Sequence, residues 1–103
     1  MLFRSDFGYD VVQAEDGQEA LETIGAAAPA LLITDINMPR LDGFGLIERL
    51  RVQPEYRTMP ILVLTTESSD EKKQRARAAG ATGWIVKPFD PEKLAAAIRR
   101  VLH

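Results

Sequence analysis

A chain of 103 residues and 11.4 kDa has room for one domain and one modest core. Apolar residues make up 46% and charged residues 27%, a globular mixture, and a formal net charge of −2 gives no support to bulk electrostatic binding of nucleic acid or membrane. The absence of cysteine, with the single histidine, His103, at the last position, excludes disulfides, thiolate nucleophiles, histidine triads and Cys- or multi-His metal sites. Carboxylates, hydroxyls, lysines and backbone remain for chemistry. No run approaches the ~18 apolar residues of a membrane span. The opening Met1-Leu2-Phe3-Arg4-Ser5-Asp6 lacks the pattern of a signal peptide, so a cytoplasmic protein is expected.

In chain order, the first apolar run, Tyr9 to Ala14, predicts a strand. Asp16, with Glu19 three positions on, predicts an N-cap. Ala20, Leu21, Ile24, Ala27 and Ala28 then form the stripe of a helix that Pro29 stops. Leu31 to Thr34 and Ile61 to Thr65 carry little polar alternation, as strands buried on both faces do. Between them Asp42-Gly43 opens a helix with Phe44, Ile47 and Leu50 inward, ending before Pro54. Ser69 or Asp70 opens a third helix, stopped by Gly80, whose apolar side chains are the alanines Ala76, Ala78 and Ala79. That helix buries little area; it reads as a polar surface helix, with a switching element as the rival reading. Gly83 to Val86 is a weaker strand. Asp90-Pro91-Glu92 combines a cap, a proline at the first helical position and a negative charge at the positive end of the dipole. Leu94, Ile98, Val101 and Leu102 are the expected buried stripe of that last helix. Strands alternating with helices predict an α/β fold with a parallel sheet.

In open α/β sheets function collects at the carboxyl ends of the strands. Those ends carry Glu15 and Asp16, then Asp35, then Thr65-Thr66-Glu67, then Lys87-Pro88. Singly, each has a structural explanation: Asp16 as a cap, Asp35 as a turn residue, Thr65 as a strand former, Lys87 as a solvated charge. Together they bring a nucleophile, a hydrogen-bond donor and a counter-charge to one edge, the set needed to accept and hold a phosphoryl group.

The stretch Thr34-Asp35-Ile36-Asn37-Met38-Pro39-Arg40-Leu41-Asp42-Gly43 resembles the phosphoacceptor loop of the receiver domain of two-component response regulators. Leu64-Thr65-Thr66-Glu67 and Gly83-Trp84-Ile85-Val86-Lys87-Pro88-Phe89 resemble two further strand ends of that family, and Gly8 through Leu21 its second strand and helix. The resemblance runs from about Phe7 to the end and implies a flavodoxin-like doubly wound parallel sheet, one receiver domain over residues 1–103, shortened at its start to about four strands. It implies Asp35 as phosphoacceptor, Thr65 hydrogen-bonded to the phosphoryl oxygens, and Lys87 paired with them across a cis bond to Pro88. It further implies Mg2+ held by Asp35 and the backbone carbonyl of Asn37. Thr65 and Trp84 would form a conformational switch, with an interfacial tryptophan on the sheet edge as the rival reading for Trp84. Side chains at Asn37 and Glu67 would tune phosphate loss.

The family opens with a buried strand ending in an acidic pair, followed by a helix. Residues Met1 to Phe7 are expected to supply only the last turns of that helix, with Gly8 as its C-terminal residue. The acidic pair normally completes the metal site, so magnesium binding is expected to be weak. Glu15 and Asp16 are expected to stay as a solvated charge and a cap; the alternative is that they move toward Asp35 and partly replace the pair. The family's second strand is expected either to pair directly with the third or to leave a gap for another copy. With the last helix alone on one sheet face, exposed apolar side chains around those strands predict a homo-oligomer.

The implied function is that of a phosphorelay signal-transduction receiver, not an enzyme, taking a phosphoryl group from a sensor histidine kinase or phosphotransfer protein and signalling to a downstream protein target. The alternative is a receiver-derived interaction module that is not phosphorylated. Nucleic-acid binding through Lys72, Lys73, Arg75 and Arg77 is weaker, since no aromatics interleave the run and a solvated helix face explains it.

Overall fold

The structure, a computed structural model, describes residues 2–4 as backbone and residues 10–102 in full. Among the described residues five strands form one sheet: β1 Leu2–Arg4, β2 Asp10–Ala14, β3 Leu31–Thr34, β4 Ile61–Thr65 and β5 Gly83–Val86, hydrogen-bonded in chain order. Strands β2 to β5 are parallel, with Val12 opposite Leu32, Ile33 opposite Leu62 and Val63 opposite Trp84. Helices α1 Gly17–Ala27, α2 Gly43–Arg51, α3 Asp70–Ala79 and α4 Pro91–Val101 connect or follow them, with a 3-10 turn at Pro54–Tyr56. The doubly wound α/β fold is as the sequence predicts, and β2 pairs directly with β3.

Residues 2–4 depart from expectation. They are not helix but an antiparallel strand, Leu2 facing Val12 and Arg4 facing Asp10. The physical reason lies at the sheet's edge: with β3 on one side of β2, the other side presents unpaired N–H and C=O groups, which β1 satisfies. Gly8, expected as a helix end, Tyr9, expected to start a strand, and the terminal His103 lie outside the described residues.

All four helices start on the residues that composition points to. Asp16 accepts from the Gln18 and Glu19 amides at 2.9 and 3.1 Å. Asp42 accepts from Gly45 at 2.8 Å, Ser69 from Lys72 at 3.3 Å and Asp90 from Glu92 at 2.9 Å. Helix α1 ends on Ala28 in the left-handed region (φ 46°), and α3 ends on Gly80 (φ 118°), where glycine carries no steric cost.

Strand periodicity divides the core in two. Val12, Leu32, Ile61 and Val63 face one side and pack with Ile24 of α1, Phe44, Leu46, Ile47 and Leu50 of α2, and Ala76 of α3. Val11, Leu31, Ile33, Leu62 and Leu64 face the other side, against Leu94, Ile98 and Val101 of α4 and Leu102 that caps it. Here two expectations need correction. The apolar side chains around β2 and β3, expected to lie bare on that face, are buried: Val11, Leu31 and Ile33 pack beneath α4. The α4 stripe, expected to be buried, is only partly so, because one helix covers the face and its flanks stay wet.

Helix α3 matches the polar surface reading: Ala76 is its only buried residue. Polar contacts attach the rest. The Arg75 guanidinium lies 4.2 Å from the centroid of the Phe44 ring, and Lys72 Nζ lies 3.0 Å from Glu67 Oε1. Arg51, at the end of α2, donates from Nε and Nη2 to the Gly80 carbonyl at 3.0 and 2.8 Å and from Nη1 to the Tyr56 carbonyl at 2.5 Å. It reaches the negative end of the α3 dipole with carbonyls as hydrogen-bond partners, and burial pulls its pKa down. Truncation strands those carbonyls. Arg51→Ala is therefore expected to lower unfolding free energy by about 2–3 kcal/mol, read as a fall in denaturant midpoint. Arg51→Met, which keeps the stem, should recover little of the loss if the hydrogen bonds carry it.

Candidate functional site

The residues that sequence reasoning places at the carboxyl edge do meet there. Asp35 follows the last residue of β3, and Lys87 the last residue of β5. Alternation turns Gln13, Ile33, Asp35, Leu64 and Lys87 toward the α4 side of the sheet. With Glu15, Asn37 and Met38 they line a cavity of about 330 Å³. Lys87 Nζ is 3.5 Å from Asp35 Oδ2, the two side chains being 41% and 29% exposed, so the pair is open to a reactant. Asp35 Oδ1 accepts the Ile36 amide at 2.6 Å and the Asn37 amide, less closely, at 3.5 Å. The Lys87–Pro88 bond is cis.

Thr65 is fully buried, and its Oγ1 accepts the Glu67 amide at 3.2 Å. Partial burial alone would raise the Asp35 pKa. The Thr65 hydroxyl, the Ile36 and Asn37 amides and the Lys87 charge outweigh it and hold the carboxyl below its ordinary value. Trp84 is half-buried against the core beneath α1 to α3, and its neighbours include Lys73, Ala76 and Arg77. In register Trp84 lies opposite Val63, two residues before Thr65 on the same face of β4.

The loop from Ile36 to Asp42 is tightly closed. The Gly43 amide donates to the Ile36 carbonyl at 2.9 Å, and a Cβ on Gly43 would overlap the Asp35 carbonyl. Within the loop the Leu41 amide donates to the Pro39 carbonyl at 2.7 Å across Arg40, whose φ is 65°. This is a γ-turn with a strained, non-glycine centre. Arg40 Nε lies 2.7 Å from Asp16 Oδ2, a contact 24 residues apart that no local pattern announces.

Asp16 is thus both cap and ion-pair partner. Its pKa is lowered first by the hydrogen bond from Arg40, then by the Glu19 amide, with smaller contributions from the Arg40 charge and the Gln18 amide. Both Asp16 and Asp35 sit below their ordinary value of 3.8, so the folded state binds fewer protons than the unfolded chain near that pH. Their stabilisation is complete above the unfolded pKa and is lost as pH falls through the lower folded pKa. Denaturant midpoints followed from neutral pH into acid should show wild type losing its advantage over Asp16→Asn, and a gap that persists at the acid limit would contradict this account.

A family model described as "Response regulator receiver domain" matches residues 1–99, and the chain belongs to that family. It is 40% identical over 100 residues to the chemotaxis protein CheY1 of Helicobacter pylori, covering 95% of this chain and 81% of that protein. It is 42% identical over 99 residues to the probable transcriptional regulator ycf27 of Porphyridium aerugineum, where it spans 96% of this chain and 40% of the relative's length. The solved structure of the chemotaxis response regulator CheY4 of Vibrio cholerae superposes with a TM-score of 0.83 at 50% identity, covering 94% of this chain and 81% of that one. Receiver domains are signalling modules of two-component systems, acting with histidine kinases and downstream effectors. Among the described residues no helix is long and apolar enough to cross a membrane.

The family generally binds Mg2+ for phosphorylation. The acids brought near this edge are Asp35 and, on the cavity wall, Glu15; Asp16 is engaged by two amides and Arg40. No group of three or more His, Cys, Asp or Glu among the described residues could hold an ion. A hard cation takes about six oxygens, so the described residues do not fit a complete magnesium site. Of the two acids named as possible replacements for the pair, Glu15 lines the cavity with Asp35, while Asp16 is held by its cap and ion pair.

Proposed function

We propose that residues 1–103 form one receiver domain that accepts a phosphoryl group on Asp35 from a phosphohistidine of a histidine kinase or phosphotransfer protein, in a cytoplasmic relay. The supporting observation is the Asp35–Lys87 pair at 3.5 Å on the lip of an open cavity. The backbone amides engage Oδ1 and so leave Oδ2 to act as nucleophile. As the bond from Oδ2 to phosphorus forms, the phosphorus–nitrogen bond of the donor breaks and its electron pair returns to the imidazole nitrogen. Charge spread over the transferring oxygens is met by the Lys87 ammonium and by the Thr65 hydroxyl. The Thr65 hydroxyl can donate to them while its oxygen still accepts the Glu67 amide, so one side chain links the acceptor to Glu67. Glu67 is tied to Lys72 on α3, and Trp84 lies against the same helix, so the added negative charge is transmitted to a helix that buries a single alanine and from there to a downstream protein target.

The absence, among the described residues, of a group of three or more possible metal ligands supports a second reading, a receiver-derived interaction module that is not phosphorylated. Incubation with phosphoramidate, with and without magnesium, followed by intact mass separates the two. One added phosphoryl group, mapped to Asp35, is the expected result; an unchanged mass under both conditions selects the interaction module.

A further inference from the structure

We infer that the Asp16–Arg40 ion pair is a latch that positions the loop carrying Asn37 and Met38 and thereby sets the rate of phosphoryl uptake at Asp35. The inference rests on the reading of Asp35 as acceptor. The pair joins two walls of one cavity. Asp16 follows Glu15, which lines the cavity from the β2–α1 side, while Arg40 belongs to the loop that lines it from the β3–α2 side. Elsewhere the two walls touch without slack: Gly17 lies so close to the Leu41 carbonyl that a Cβ there would overlap it.

The loop is anchored at its ends, by the Ile36 amide on Asp35 and the Gly43 amide on Ile36, but its middle is an exposed γ-turn on a strained residue. A single strained residue is held there only when its surroundings over-determine it. Asp16 supplies that constraint while itself fixed by two α1 amides, so the guanidinium is pinned to a rigid helix start. The contacts of the Asp35 carboxylate are with Ile36, Asn37, Thr65 and Lys87, not with Arg40 or Asp16. The latter two are positioning residues, holding the cavity mouth at the width through which a donor reaches Oδ2.

Two substitutions break the pair without breaking the fold. Arg40→Gly suits the positive φ, and Asp16→Asn remains a good cap. With phosphoramidate as donor and magnesium present, each is expected to lower the uptake rate constant about two- to fivefold, the range an exposed ion pair supports. The double variant should fall no further, since both changes remove one interaction. Arg40→Lys should restore part of the rate, and added salt should bring wild type toward the variants. A merely structural pair would move melting temperature and leave these rates alone. Wild-type uptake with unchanged rates in both variants, or effects that add in the double variant, overturns the latch alone. A wild type that takes up no phosphoryl group overturns the acceptor reading, and the latch with it.

Discussion

Asp35→Asn is expected to abolish phosphoryl uptake while leaving the fold intact. The amide is nearly isosteric with the carboxylate and its oxygen can still accept the Ile36 amide, so the contact that orients the side chain survives. What disappears is the anionic nucleophile and its attraction to Lys87. The pair is exposed enough that solvent screens it, and its loss should shift stability little. Intact mass after phosphoramidate treatment should show no addition, with a thermal midpoint close to wild type. A large fall in that midpoint would give Asp35 a structural role and count against its assignment as acceptor.

Gly43→Ala should damage the site as well, but together with lost stability. Gly43 is buried, and the added methyl would run into the Asp35 carbonyl and the Ile36 Cα, rigid backbone that cannot swing aside. The loop or the start of α2 must shift, breaking or stretching the hydrogen bond from the Gly43 amide to Ile36. Overpacking of this kind costs about 1–3 kcal/mol. A displacement near 1 Å at the acceptor lowers transfer on the order of a hundredfold. Denaturant unfolding and phosphoryl uptake measured on the same preparation check both parts. Wild-type values for either would show that the loop can yield.

The elements legible in the sequence are those written in short-range chemistry. The four caps, the doubly buried strands β3 and β4, and the stops at Pro29 and Gly80 depend on neighbours within a few residues, and they were readable for that reason. The carboxyl-edge residues Asp35, Thr65 and Lys87 were readable because a strand's end fixes which edge its next side chain joins. The strand at Leu2–Arg4 was not: three residues carry no period, and they pair because β2 has a free edge, a property of the assembled sheet. Arg51 was equally silent, since an arginine closing an amphipathic helix looks solvated until the carbonyls of Gly80 and Tyr56 are in place. The Arg40–Asp16 contact joins an exposed arginine to a partly buried helix cap in another loop, and nothing in either segment alone requires it.

The way α3 is attached has a consequence for how the molecule responds to its medium. One buried alanine gives this helix little hydrophobic anchorage, and its other ties are a cation over an aromatic ring, an ion pair to Glu67 and an arginine on its terminal carbonyl. Helix α2, by contrast, buries Phe44, Leu46, Ile47 and Leu50, contacts indifferent to counter-ions. Dissolved electrolyte therefore acts on the two helices unequally. It loosens the Glu67–Lys72 tie within a Debye length of roughly 8 Å at physiological strength and leaves the α2 packing as it was. Amide protons of α3 should then exchange through local opening that grows easier with ionic strength, while those of α2 wait for the whole domain to unfold.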